Sequence, residues 1–212
     1  MFPYLLNNNQ FIIESYSFLF FIAWTIGGLL FYYSIKQNKL NVETMLTILC
    51  GCALGALLGS FVLNLILFGH ENFLIKLYNL NFEGMSVVGG ITGGFIGVEV
   101  TKKIIGYKQY TGDFFVPAIL IGHSIGRIGC LLGGCCFGTQ CKYSWAMTYP
   151  INSPAYLYQL QNNIISQDSL SSLAVHPSPI YEITFNLILL FILWIYKSKF
   201  YVPGALFRAY LV

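Results

Sequence analysis

Charged side chains are scarce in this chain: they make up 9% of its 212 residues, where a soluble domain carries about 25%. With 56% hydrophobic residues and a mean hydropathy of +0.67, that scarcity excludes a water-covered globular surface and puts the chain in lipid. The net charge of +3 gives no sign of a nucleic-acid partner, and none is expected. The apolar blocks also lack the polar–apolar alternation of barrel strands, which argues against a membrane β-barrel. Met1 to Gln10 hold no Lys or Arg, and no small-residue cleavage site follows the first block, so it does not read as a signal peptide. The 6 cysteines include no Cys-x2-Cys pair of the kind common zinc sites use. No cofactor and no metal are expected.

What is present is a series of long apolar blocks: Phe11–Tyr33, Met45–Phe68, Met85–Val100, Phe114–Phe137 and Ile180–Tyr196, then a short one at Ala205–Val212. A spanning helix takes roughly 20 apolar residues. The fold class expected is therefore all-α, a polytopic transmembrane bundle of five full spans plus the start of a sixth, forming a single domain over 1–212. Lys36 and Lys39 follow the first block, Lys102, Lys103 and Lys108 the third, and Lys197 and Lys199 the fifth, leaving Lys76 and Lys142 in the alternate loops. That bias predicts an N-terminus outside and a Gly138–Val175 loop on the same outer side. This polar loop, rich in Asn, Gln and Ser, reads either as a cap over a site or as disorder.

Glycines recur at helical spacing as Gly51, Gly55 and Gly59, as Gly89, Gly93 and Gly97, and as Gly122, Gly126, Gly129 and Gly133. Such faces let helix backbones approach closely in lipid, so they are expected to build the bundle.

Arg127 is the most informative residue, because a charge inside the fourth block must meet water, a counter-ion or an anionic ligand. A planar guanidinium suits bidentate contact with a phosphate; a structural ion pair with Glu14, Glu99 or Asp113 is the alternative. His123 stands one turn earlier on the same face, as a base, a second phosphate donor or a mere interhelical contact. At the entrance of the fifth block comes His176-Pro177-Ser178-Pro179-Ile180-Tyr181-Glu182. Ser178 is expected to cap that helix and Glu182 to sit near its N-terminus. Capping does not account for His176, Tyr181 and Glu182 together. Cys130, Cys135, Cys136 and Cys141 bracket the outer end of the fourth block, open to disulfide formation, packing or metal ligation.

Running from Asp113-Phe114-Phe115-Val116-Pro117 to Gly126-Arg127-Ile128-Gly129-Cys130-Leu131-Leu132-Gly133-Gly134-Cys135-Cys136-Phe137-Gly138, the chain resembles the signature of the prolipoprotein diacylglyceryl transferase family, in a Gly-Cys-Cys variant. Ser15-Tyr16, Gly84-Met85-Ser86 ahead of Gly89-Gly90, and the His176 to Glu182 segment match as well. The resemblance implies a bacterial inner-membrane transferase that moves the diacylglyceryl group of phosphatidylglycerol to the lipobox cysteine thiol of a prolipoprotein signal peptide. It implies Arg127, Tyr16, His176 and Glu182 as catalytic residues, and Arg127, Gly138, His123, Ser178 and Tyr181 as substrate-binding ones. An attack by an external thiol needs no covalent enzyme intermediate, so Cys135 and Cys136 are not expected to be nucleophiles.

The chain departs from the family at Val88, where a histidine is usual, at Leu57, where arginine is common, and at Cys130, Gly133 and Cys135, which replace polar residues. Two alternatives follow: a phospholipid-using transferase with another acceptor, or a non-catalytic membrane protein that binds lipid or a partner. Family members also continue past the position of Val212, so the expectation is a C-terminally truncated form with weak or no transfer.

Overall fold

The expected apolar blocks become helices, two of which start at side-chain caps. The computed structural model describes residues 4–8, 11–68, 86–196 and 202–211. A short antiparallel hairpin of β1 (Tyr4–Asn8) and β2 (Phe11–Glu14) leads into α1 (Ser15–Gln37). The first block was expected to be helical from Phe11, but its first four residues pair as a strand. An unbroken apolar run does not distinguish the two states, and the adjacent β-branched Ile12 and Ile13 suit a strand.

Helix α2 (Val42–Phe68) starts where the Asn41 side chain accepts a hydrogen bond from the Thr44 N–H at 3.1 Å. Helix α3 (Val87–Ile105) is capped by Ser86, which accepts from the Gly89 N–H at 3.3 Å, and ends at Gly106 with a left-handed φ of 70°. Gly84 and Met85, of the matching motif, lie outside the described residues, as do Lys76, Lys197 and Lys199. A 3-10 turn (Gly112–Phe114) precedes α4 (Val116–Gly133), and α5 (Pro154–Gln161), α6 (Ser178–Ile195) and α7 (Ala205–Leu211) complete the order.

Among the described residues the structure is all-helical apart from the hairpin and isolated bridges, and four segments, Ser15–Gln37, Val42–Leu67, Gly112–Gly133 and Ser178–Ile195, are long and apolar enough to cross a membrane. Leu58 and Ile66, 65% and 70% exposed, show the kind of surface that only lipid would cover. This is a multi-pass membrane protein. Five full spans were expected; the fifth candidate, α3, carries Glu99, Lys102 and Lys103 in its second half and is not among those four.

The chain divides into two compact units, one from Met1–Phe31 and Thr111–Val212, the other from Tyr32–Tyr110. In the second, α2 lies along α3 with glycine facing glycine. A Cβ on Gly55 would stand 2.9 Å from the Gly97 Cα, and one on Gly93 2.7 Å from the Gly59 Cα. The first two glycine sets thus do what their spacing predicts. The third does so in part: a Cβ at Gly129 would meet Tyr16 at 3.3 Å, and one at Gly122 the Ala23 carbonyl at 3.6 Å, but Gly126 and Gly133 face open space.

In the first unit, Val116, Leu120 and Leu193 form a buried core onto which Leu206, Phe207, Ala209 and Tyr210 pack. The block expected to begin a sixth span is thus a short helix laid against α4 and α6. Asp113 fixes it: its carboxylate accepts from the Gly204 N–H at 2.7 Å and the Phe207 N–H at 2.9 Å, satisfying amides at the helix start. The loop 138–175 is folded, not disordered. Tyr149, Ala155 and Val175 form its core with Phe137 and Met147, and Gln159 accepts from the Leu173 N–H at 2.7 Å as a neighbouring strand would.

Gly93→Val should separate α2 from α3, because the new side chain meets backbone that cannot move aside. Overpacking of this kind costs about 1–3 kcal/mol. A fall in thermal stability of the detergent-solubilised protein, with Gly28→Ala as the neutral control in open space, checks it; equal stability of the two variants would contradict the close approach.

Candidate active site

Helical spacing puts His123, Arg127 and Cys130 on one side of α4, one turn apart. Glu182 reaches them from the second turn of α6. Its Oε2 lies 2.7 Å from the Arg127 Nε and 3.5 Å from the His123 Nε2, and the Arg127 Nε is 3.2 Å from that same histidine nitrogen. The single Nε–H donates to that histidine nitrogen, and the carboxylate lies beside it as the counter-ion. Sequence reasoning offered Glu14, Glu99 or Asp113 as counter-ion. Of these, Glu99 pairs with Lys102 at 2.9 Å and Asp113 caps α7, and the partner is Glu182.

Glu182 and His123 take the Nε edge, and the outer edge of the guanidinium faces the thiols: the Cys130 Sγ lies 4.0 Å from Nη1, and Cys136 is within side-chain hydrogen-bonding reach of the guanidinium. Tyr16 joins the group from α1. Its ring packs on Gly129, and its hydroxyl lies within electrostatic range of Arg127, Cys130, Cys135 and Cys136.

The thiols converge because α4 stops abruptly. Gly134 closes it with φ 70° and its N–H bonded to the Cys130 carbonyl, and Cys136 takes φ 55°, a conformation that side chains other than glycine and asparagine rarely adopt. The turn folds back so that the sulfurs of Cys130, Cys135 and Cys136 lie within 4.8 Å of one another. The thiol neighbours Cys130 and Cys135, then the Arg127 guanidinium, hold the Cys136 thiol well below the usual range. Cys130 and Cys136, with burial, push the Cys135 thiol up. All described cysteines are free thiols. A cleft of about 480 Å³ opens beside them, lined by Cys136, Phe137, Gly138, Thr139 and Tyr158.

The remaining expected residues form a second cluster a few residues along the chain. The Trp145 Nε1–H, which can only donate, bonds to the Tyr181 hydroxyl at 2.8 Å, and that hydroxyl lies 3.0 Å from the His176 Nδ1. The hydroxyl thus accepts the indole proton and exchanges a further hydrogen bond with Nδ1. Ser178 was expected to be a cap. It is instead the first residue of α6, Pro177 holds the capping position, and no side-chain cap bond is made. Proline at the start presets φ without needing a donor.

Gly138 joins the two clusters. Its N–H donates to the His176 carbonyl at 2.9 Å, and a Cβ there would lie 2.8 Å from both the His176 Cβ and the Ser178 Oγ. Its glycine character is required by packing against the His176 segment. The thiol cluster and the capping by Asp113 were missed from sequence, since both depend on where turns bring the chain back.

The family model described as prolipoprotein diacylglyceryl transferase matches residues 3–212. The chain is 26% identical over 223 residues to the phosphatidylglycerol–prolipoprotein diacylglyceryl transferase of Treponema denticola, covering 87% of this chain and 66% of that protein. It is 35% identical over 130 residues to the Dehalococcoides mccartyi protein of the same name, covering 61% of this chain and 45% of the other. With that of Legionella pneumophila the identity is 29% over 192 residues, covering 87% and 68%. The chain thus spans about half to two thirds of the length of these relatives.

Gly138→Ala should loosen the junction between the thiol turn and the His176 segment by about 1–3 kcal/mol. Hydrogen exchange at the amides of Gly138 and His176 should then accelerate by about tenfold or more; unchanged protection of both would show that the neighbours yield without strain.

Proposed function

Since the chain belongs to the prolipoprotein diacylglyceryl transferase family, we propose that it transfers the diacylglyceryl group of phosphatidylglycerol to the lipobox cysteine thiol of a prolipoprotein signal peptide. The observation that carries this reading is the state of Arg127, held beside Glu182 and His123 at Nε, with its outer donors met among the described residues by thiols and not by a second carboxylate. Thiol attack on the glyceryl carbon expels a glycerol phosphate, so negative charge grows on the phosphate as the carbon–oxygen bond breaks. A preorganised guanidinium in a site shielded from water stabilises that growing charge far better than solvent-exposed lysine would.

Tyr16, packed on Gly129 beside Arg127, would donate to the phosphate or to the leaving oxygen. Glu182 acts as a positioning residue, since its carboxylate is occupied by the arginine. His123 completes the same polar group, and His176, oriented through Nδ1 by Tyr181, keeps Nε2 to hydrogen-bond substrate. Gly138 and Ser178 hold that segment against the thiol turn. The lysine bias adds a setting: the bacterial inner membrane, N-terminus outside, with the 138–175 segment outside as a cap. Val88, in place of the usual histidine, favours a second reading in which phosphatidylglycerol binds but another acceptor, or none, is used.

Incubating the purified chain with phosphatidylglycerol labelled in its acyl chains and a lipobox peptide should yield label in thioether linkage to the peptide cysteine. Lipid retained on the protein without turnover would select the second reading. Arg127→Lys keeps the charge for Glu182 and loses the fork, so transfer should fall by about a hundredfold or more while membrane insertion is unchanged; near-normal turnover would make Arg127 a structural charge. Single cysteines introduced at Asn38 and Asn162, in a chain otherwise free of cysteine, test the orientation. An impermeant thiol reagent applied outside should label only position 162.

A further inference from the structure

Cys130, Cys135 and Cys136 are placed by three distinct features, the last turn of α4, the left-handed Gly134 and the left-handed Cys136, and their sulfurs still converge within 4.8 Å. Two thiolates about 2.3 Å from one zinc ion in tetrahedral geometry stand about 3.8 Å apart, so small side-chain rotations close the set on an ion. Soft thiolates select zinc among the abundant divalent cations. A non-glycine residue held at φ 55° is a local cost that the converging thiols would offset.

A second observation points the same way. The Tyr149 side chain is fully buried and its hydroxyl has no hydrogen-bond partner among the described residues. Its ring lies 3.0 Å from where a Gly134 Cβ would be, against the thiol turn, and the hydroxyl is within electrostatic range of Cys135 and Cys136. An unpaired buried O–H is destabilising. No sulfur of the described residues is within its hydrogen-bonding reach in this structure; a thiolate drawn toward it on binding an ion would supply the acceptor it lacks, in the manner of the outer hydrogen bonds that support metal ligands.

We propose that Cys130, Cys135 and Cys136 form an open three-thiolate zinc site that takes an incoming thiol as its fourth ligand. The ligand set leaves one tetrahedral position vacant, as sites that bind substrate do, and Cys136 is exposed beside the open cleft. The role of that fourth ligand rests on the function proposed above. A cysteine thiol that binds there gives its proton to water and remains on the ion as a thiolate, since coordination deprotonates it. Its sulfur then forms the bond to the glyceryl carbon as the carbon–oxygen bond breaks. The electron pair leaves on the phosphate oxygen toward Arg127, and no redox step is involved. The neutral thioether is a weak ligand and departs. Arg127, about one turn from Cys130, also offsets the net negative charge of three thiolates on one divalent ion.

The test is to titrate cobalt(II) into the full chain, purified in detergent under reducing conditions, and to follow the sulfur-to-cobalt charge-transfer band. One cobalt per chain is expected, displaced by zinc. Replacing the three cysteines together by serine should abolish the band, Tyr149→Phe should weaken binding by about tenfold, and Cys50→Ser should leave it intact. A lipobox peptide should strengthen the band and its serine analogue should not. Absence of the band in protein whose three thiols titrate as reduced, or an equal band in the triple variant, would overturn the site. A band indifferent to the cysteine peptide would overturn the fourth-ligand role and leave a structural ion. Because the readout is spectroscopic, a chain that binds cobalt and the thiol peptide but transfers no lipid would sink the transferase reading alone.

Discussion

One ion pair organises the first unit of this protein: Arg127 on α4 and Glu182 on α6, 2.7 Å apart within helices that hold no other Asp, Glu, Lys or Arg. Removing one partner of a buried pair leaves the other uncompensated, at about 3–5 kcal/mol, and less here because the Glu182 side chain keeps 37% of its surface. Much of the neighbouring structure follows from keeping both charges in place. The pair sets which faces of α4 and α6 meet, and so where His123 and Cys130 point. It also decides which edge of the guanidinium is spoken for. Had Glu182 faced the outer donors, Arg127 would be a closed structural contact with nothing left for a phosphate.

Several of these features were legible in the sequence for plain physical reasons. A charge inside an apolar block must be paired or functional, which singled out Arg127. Glycines every fourth residue make a flat face, and α2 and α3 use theirs in that way. Periodicity failed where it carries no information: Phe11 to Glu14 read as helix and form a strand. The third block forms the 19-residue α3, whose three charges set it apart from the four apolar helices. The counter-ion of Arg127 was out of reach, since Glu182 lies 55 positions along the chain and seemed engaged by its own helix end. Asp113 was weighed as an ion-pair partner, but its carboxylate accepts from backbone amides at the start of α7 that no pattern around residue 113 announces.

The cysteines show most clearly what spacing conceals. Cys-x4-Cys-Cys looks unlike a metal motif because common motifs place both thiols of a pair on one tight turn. Here a helix end does that work: Cys130 sits in the last turn of α4 and Gly134 reverses the chain to bring Cys135 and Cys136 back over it. Two left-handed residues in three positions are the local signal, and only the glycine is recognisable as such in sequence.

The two polar clusters are one construction because the chain between them is short and rigid. From Cys136 it passes through Phe137, which packs on the core of the 138–175 segment, to Gly138, whose amide is bonded to His176 with no room for a side chain. His176 in turn bonds through Tyr181 to Trp145. Any displacement of the thiol turn is therefore transmitted to the histidine, and any movement of α6 acts on Arg127 through Glu182 and on His176 through Tyr181 at once. Under the transferase reading, that coupling has a chemical use. The phosphate would be held by a residue of α4, the acceptor thiol by the turn that ends α4, and the histidine by the start of α6. A common frame keeps nucleophile and leaving group in line, which matters because misplacing a reacting atom by about 1 Å can lower a rate a hundredfold.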